Sequence, residues 1–191
     1  MIDLPAPFRL AVPDDARVVA SFFNMANDGL GEVLWRLMCP PGDTPEQVGV
    51  RAMVGRIADG DVVVSDDPGG PLAGMISQAQ LGAAPLPEDL PAPLRVINGL
   101  RNKAPRTWYI TTVAVHPTAQ GRGLGKTLLG LAEDMARDVG LFETSLLVLE
   151  HNTGARRLYD KLGYFEAARD RIEQDGWSAS PQDVILLRKT V

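Results

Sequence analysis

The run TSLLVLE, from Thr144 to Glu150, is apolar without alternation. A strand of that kind has no face to give to water and must be covered on both sides. A second strong strand, TWYITTVAV, spans Thr107 to Val115 and stops at His116-Pro117. Between the two lies a helix from Gly123 to about Val139, with Leu124, Leu128, Leu129, Leu131, Met135 and Val139 as its apolar positions and Gly140 as its stop. Other elements gather around this strand–helix–strand unit. A short strand is expected from Phe8 to Val12, and a helix opens at Pro13-Asp14-Asp15. A second helix should run from Gly31 to Met38, and a third is capped by Thr44 with Pro45 and Gln47 behind it. Asp61 to Leu81 reads as a hairpin turned at PGGP. Asn152 or Thr153 caps a helix through Leu162, and YFEAARDRI and QDVILLRK read as closing strands. Strands and helices alternate irregularly, so the fold class is mixed α/β, neither all-parallel nor barrel-like.

With 191 residues, one domain over 1–191 is the expectation. The Pro-interrupted segment from Gly82 to Pro105, with a short helix from Pro93 to Leu100, is too central to be a domain boundary. Net charge is −5, which argues against non-specific nucleic-acid binding and does not repel a cationic amine. The single cysteine, Cys39, excludes a disulfide framework and a Cys-rich zinc site. Its neighbours Leu34, Leu37 and Met38 suggest a core position. No leader-like or membrane-spanning run is visible, so a soluble, cytoplasmic protein is expected.

The stretch AQGRGLGKT, Ala119 to Thr127, sits between the first strong strand and its helix. Its tail fits a nucleoside-triphosphate loop, but Gln120 stands where the first glycine of that pattern belongs. Its start fits a dinucleotide fingerprint, but Lys126 stands where the third glycine belongs, and Glu143 precedes the strand that should carry the ribose ligand. What remains is a glycine-rich turn into a helix. Its free backbone N–H groups suit a diphosphate, and Arg122 and Lys126 supply charge with no metal.

Gln120-x-x-Gly123-x-Gly125 after VAVHP resembles the acetyl-CoA-binding motif of the GNAT N-acetyltransferase superfamily. The later run LLVLEHNTGARRLYDKLGYFE resembles the same family's strand and N-x-x-A-x-x-L-Y-x-x-L-G-[FY] helix, at Asn152, Ala155, Leu158, Tyr159, Leu162, Gly163 and Tyr164. The two motifs occur in the family's order and cover roughly residues 107 to 170. The resemblance implies a mixed, mostly antiparallel central sheet with helices on both faces. It also implies acetyl transfer from acetyl-CoA to a primary amine by direct attack in a ternary complex.

On that resemblance, the pyrophosphate rests on Gln120, Gly121, Arg122, Gly123, Leu124, Gly125, Lys126 and Thr127. The backbone of Val113, Ala114 and Val115 pairs with the pantetheine arm, next to a bulge expected near Thr111-Thr112. Asn152 hydrogen-bonds that arm, and it is also a natural helix cap. Tyr159 is the general acid for the departing thiolate. The positions where many relatives carry a glutamate base are occupied by Tyr109 and Leu147, so the base is open between Tyr109, Glu150 and a water chain. The acceptor, a small molecule or a peptide amine, is expected near residues 28–44 and 82–106. Trp35, Arg36, Arg95, Arg101 and Trp108 are the candidates to line its site. The missing glutamate motivates an alternative, a non-catalytic acyl-CoA-binding or sensing domain on the same fold. The closing strands make a homodimer reasonable.

Overall fold

Local chemistry sets several helix starts in the computed structural model, which describes residues 4–191. The Thr44 hydroxyl accepts from Gln47 N at 3.3 Å, and the Gln47 side chain accepts from Thr44 N at 2.8 Å. This reciprocal pair opens α3 (Pro45–Ala58), with Pro45 in the first turn where no N–H is needed. The chain before it forms β1 (Phe8–Leu10), a 3-10 turn at Pro13–Asp15, α1 (Ala16–Ala26) and α2 (Leu30–Leu37). After α3 come β2 (Val62–Ser65), β3 (Ala73–Gln80), α4 (Ala92–Arg101) and β4 (Thr107–Val115). The C-terminal part forms α5 (Leu124–Asp138), β5 (Glu143–Leu149), α6 (Thr153–Lys161), β6 (Phe165–Ile172) and β7 (Gln182–Thr190).

The strand order is β1-β2-β3-β4-β5-β7-β6. The described β1–β2, β2–β3, β5–β7 and β6–β7 ladders are antiparallel. The β4–β5 ladder is parallel and pairs Trp108–Ile110 with Thr144–Leu146. A parallel neighbour cannot be reached by a tight turn, and α5 supplies the crossover. The fold is thus mixed α/β with a mostly antiparallel sheet.

The chain divides into two compact units, one running to Ser77 and including Thr111–Leu131, the other Gln78–Ile110 with Ala132–Val191. In the first unit, Ala11, Val19, Trp35, Met53, Ile57, Val62, Val64 and Ile76 form a buried cluster. Phe23 stacks on Trp35 with centroids 5.8 Å apart. Gly49 lets α3 approach the indole closely: an added Cβ would lie 2.6 Å from Trp35 Cδ2. Trp35, a candidate for the acceptor site, is therefore a core residue. Asp15 is buried, takes both Arg9 Nη1 (2.7 Å) and Nη2 (3.2 Å), and accepts Val12 N at 2.8 Å. Cys39 lies past the end of α2, half-buried, with its thiol donating to Asp43 O at 3.3 Å, rather than in the core. Helix α2 ends at Leu37, and that leaves Cys39 in the turn into α3.

In the second unit β7 lies between β5 and β6, and Leu146, Ile185, Leu186 and Ile172 are fully buried. Glu143 opens β5 instead of preceding it, and pairs with Arg188. Strand β6 carries a register shift between Glu166 and Ala168 and an ion-pair ladder through Arg169, Arg171 and Asp183. Charges and a bulge on an outer strand oppose pairing with a further strand. Among the described residues no helix is long and apolar enough to cross a membrane.

Candidate active site

In the first unit, the end of β4 from Thr111 onward runs into the glycine-rich loop. His116 Nδ1 and Thr118 Oγ1 share a 2.8 Å hydrogen bond that closes the short turn at Pro117–Ala119. The Gln120 amide donates back to Val115 O at 3.3 Å, so Gln120 ties the loop to the strand end. Gly121 and Gly123 have φ of +78° and +83°, a region L side chains enter only with strain. An added Cβ at either meets nothing within 4 Å, so conformation, not crowding, calls for glycine here.

From Gly121 to Lys126 no backbone N–H donates a hydrogen bond among the described residues. The next amide, Thr127 N, is bonded to Gly123 O at 3.0 Å, and the Thr127 hydroxyl turns to the same oxygen. These six amides stand at the start of a 15-residue helix with no acidic side chain in its first turn. Aligned peptide dipoles make that end positive, and its unbonded donors suit an anion. Arg122 and Lys126 are exposed beside them, and Arg122 Nη2 rests on Thr118 O at 3.2 Å. Leu124 and Gly125 are half-buried. Ahead of the loop, Val113 and Val115 are half-buried and Ala114 is buried. The hydroxyls of Thr111 and Thr112 are buried without partners, at the place where the bulge is expected. The alternation of buried residues slips nearby, since Tyr109 and Ile110 are both buried.

In the second unit, Asn152 caps α6: its Oδ1 accepts Ala155 N at 3.1 Å. The cap occupies the oxygen and leaves the Nδ2 donors without a partner among the described residues. Tyr159, on α6, is 8% exposed and packs on Tyr164 with centroids 5.6 Å apart. Its hydroxyl makes no hydrogen bond among the described residues. Burial pushes the Tyr159 phenol up to about 12. The Tyr164 hydroxyl accepts from Thr144 Oγ1 at 2.9 Å, and burial raises that phenol as well.

The two candidate bases differ. Tyr109 is 3% exposed, and the Arg101 guanidinium carbon stands 4.3 Å above its ring centroid. Glu150 is at the surface, its Oε1 accepting Arg169 Nη1 at 3.2 Å. Arg169 also grips Glu166 with two 2.8 Å hydrogen bonds, which holds the Glu166 carboxyl below its usual range.

The remaining acceptor-site candidates separate by context. Arg36 pairs with Glu32 one helical turn away at the surface. Arg95 Nη2 donates to Glu88 O and Leu90 O and so pins the inserted segment. Trp108 is half-buried with its indole N–H unpartnered. Arg101 is half-buried and stacked on Tyr109. Sequence reasoning did not single out Gln80, a buried residue whose amide nitrogen donates to Arg101 O and to Ala104 O. A polar residue at a buried strand position was its only signal.

Comparison with known proteins follows the same lines. The model of the "Acetyltransferase (GNAT) family" matches residues 49–164. Thialysine N-epsilon-acetyltransferase of Sus scrofa is 35% identical over 72 residues, 38% of this chain and 40% of that protein. Mycothiol acetyltransferase of Streptosporangium roseum is 49% identical over 57 residues, 29% of this chain and 16% of that protein. The chain thus spans less than half of the curated relatives it matches. An N-acetyltransferase structure from Staphylococcus aureus Mu50 superposes with TM-score 0.64 at 20% identity, covering 96% of this chain and 100% of that one. The structure of yncA from Salmonella typhimurium, determined with its cofactor acetyl-CoA, superposes with TM-score 0.56 at 18% identity, covering 96% and 92%. Likeness at these identities speaks for the fold.

Proposed function

The chain belongs to the acetyltransferase (GNAT) family, and from that premise we propose that residues 1–191 act as one domain that moves an acetyl group from acetyl-CoA to a primary amine. The observation that carries this reading is the row of unbonded amides from Gly121 to Lys126 at the start of α5. They offer a diphosphate a ready set of donors, with Arg122 and Lys126 as flanking charge. The backbone of Val113, Ala114 and Val115 holds the pantetheine arm, and the Asn152 cap on α6 leaves its Nδ2 donors for the cofactor.

Transfer is direct. The neutral amine nitrogen attacks the thioester carbonyl, the C–N bond forms, and the C–S bond breaks. The sulfur leaves with its electron pair. The Tyr159 hydroxyl acts as the acid by giving a hydrogen bond to that sulfur as charge builds there. The extra proton on nitrogen passes to a base. Glu150 is already engaged by Arg169 and Tyr109 lies under Arg101, so water carries that proton outward. An α-amine with pKa near ~8 costs about 1.4 kcal/mol to deprotonate at pH 7, against about 4.6 kcal/mol for a lysine-type amine. The arrangement therefore favours acceptors of low basicity.

Thermal melting tests the cradle. Acetyl-CoA should raise the melting temperature, while ATP and NAD leave it unchanged; protection by ATP in place of acetyl-CoA sinks the reading. Release of CoA thiol across a panel of amines then tests transfer. The engaged state of Glu150 favours one second reading, an acyl-CoA sensor on the same fold. Acetyl-CoA protection with no thiol release from any amine would establish it.

A further inference from the structure

Arg101 is a half-buried cation that the proposed reaction does not use. It stands in the last turn of α4, where a positive charge suits the helix dipole. That preference asks only for an exposed Lys or Arg. Here the guanidinium is drawn down onto a buried ring instead, 4.3 Å above Tyr109. Its Nε donates to Gln80 Oε1 at 3.3 Å, and its Nη1 reaches Asn98 Oδ1 at 3.5 Å. Gln80 is fixed in turn, since its nitrogen holds the carbonyls of Arg101 and Ala104. Asn102, next in sequence, clamps Ala84 through both of its backbone groups, at 2.9 and 2.7 Å. Side chains on both sides of Arg101 thus tie down the backbone at Ala84, Arg101 and Ala104.

No carboxylate comes within ion-pair distance of Arg101 among the described residues. Elsewhere the chain pairs its arginines freely, as at Arg9, Arg56, Arg169 and Arg188. A guanidinium stacked on one face, bonded at Nε and held at Nη1 only by the long 3.5 Å contact to Asn98, keeps its Nη2 side for an anionic oxygen. Half-burial strengthens that preference, because a partly desolvated cation gains more from an anion than an exposed one does. The charge sits over the strand residue that lies two positions before Thr111, in the segment where the acceptor is expected.

We propose that Arg101 is a specificity-determining residue that binds the carboxylate of the acceptor, so that the favoured substrates are amines that also carry a carboxylate, such as amino acids. The inference rests on the transferase reading above and names its substrate class. Gln80 and Tyr109 act as positioning residues that hold the guanidinium flat and facing the acceptor.

The test pairs acceptors that differ only in charge: L-alanine with L-alaninamide, and L-lysine with L-lysinamide. Thiol release is followed for wild type, R101M and R101K, and each variant-to-wild-type ratio cancels the intrinsic difference in amine basicity. R101M should lower kcat/KM for the carboxylates roughly 10- to 100-fold, through KM, and leave the amides within about twofold. R101K keeps the charge and loses the fork, so it should fall between. Equal losses on acid and amide, or no loss on either, overturns the proposal. Should R101M fail to fold, R101K decides alone: a loss confined to the carboxylates supports the proposal and an unchanged ratio overturns it. If no amine releases thiol from wild type, the transferase reading falls separately. The Arg101 site is then judged by melting: about 50 mM L-alanine should protect wild type more than R101K, and equal protection overturns it.

Discussion

Replacing Tyr159 by Phe removes one oxygen atom that has no hydrogen-bond partner among the described residues. The fold should scarcely notice. No donor or acceptor is orphaned, and the ring keeps its packing against Tyr164, so stability should stay within about 0.5 kcal/mol. The chemistry should notice more. With the phenol pushed up to about 12, roughly one molecule in ~10⁵ is ionised at pH 7, so the hydroxyl is always in its donor form. Complete transfer to a thiolate whose conjugate acid lies near ~8.5 is uphill by about 5 kcal/mol. Tyr159 therefore acts chiefly through the hydrogen bond that it gives to sulfur as charge builds there. A bond to a charged acceptor is worth about 1.5–3 kcal/mol, which converts to a roughly 10- to 150-fold loss of turnover in Y159F. The assay is thiol release at saturating acetyl-CoA and amine, with the acetyl-CoA dissociation constant and melting temperature measured alongside. Turnover within twofold of wild type would refute the role. So would a loss matched by weaker acetyl-CoA binding. The burial argument has its own check: wild-type kcat should not decline with a midpoint near pH 10, where an exposed tyrosine would ionise.

Three further perturbations have opposite signs built in. Asn152→Asp keeps a capping oxygen and removes the Nδ2 donors, so stability should hold while acetyl-CoA binding weakens about 5- to 10-fold; Asn152→Ala should also lose about 1 kcal/mol of stability, read by melting. Gly49→Ala forces a methyl into Trp35 and should destabilise by about 1–2 kcal/mol, whereas Gly55→Ala on the same helix meets nothing within 4 Å and should stabilise by up to about 1 kcal/mol. Asp15→Asn breaks the charged pair with Arg9 and should cost about 2 kcal/mol, or roughly 4–8 °C in Tm. Arg9 holds the Asp15 carboxyl below its usual range against the opposing effect of burial. That stabilisation is present above the unfolded value near 3.8 and is lost as pH falls through the folded value. The gap between wild type and D15N should therefore close in acid melts below about pH 4, and a constant gap would contradict the assignment.

Features written within a few residues of one another were legible in the sequence. Thr44, Pro45 and Gln47 specify their helix start locally, and the structure forms that capping box. Asn152 was placed as a cap for the same reason, and the amides of residues 121–126 follow from two glycines and a helix start. What the sequence hid depends on partners far along the chain. Arg9 meets Asp66 from 57 positions away. Trp35 stood open between the acceptor site and the core, and its contacts with Phe23 and Gly49, on two other helices, put it in the core. Arg101 was one cation among several until Tyr109 and Gln80 set it apart. Glu150 stood open as a base, and its partner Arg169 lies on β6, 19 positions away.

The bare amides at the start of α5 have another side. A helix whose opening donors are unmet is an unfinished helix, and no side chain of this loop finishes it. On the proposed reading the missing cap arrives from solution, carried by a metabolite. Occupancy of the site then becomes part of the protein's own stability, growing with the logarithm of ligand concentration. A cell short of acetyl-CoA would hold this protein in a looser, shorter-lived form than a cell that is well supplied.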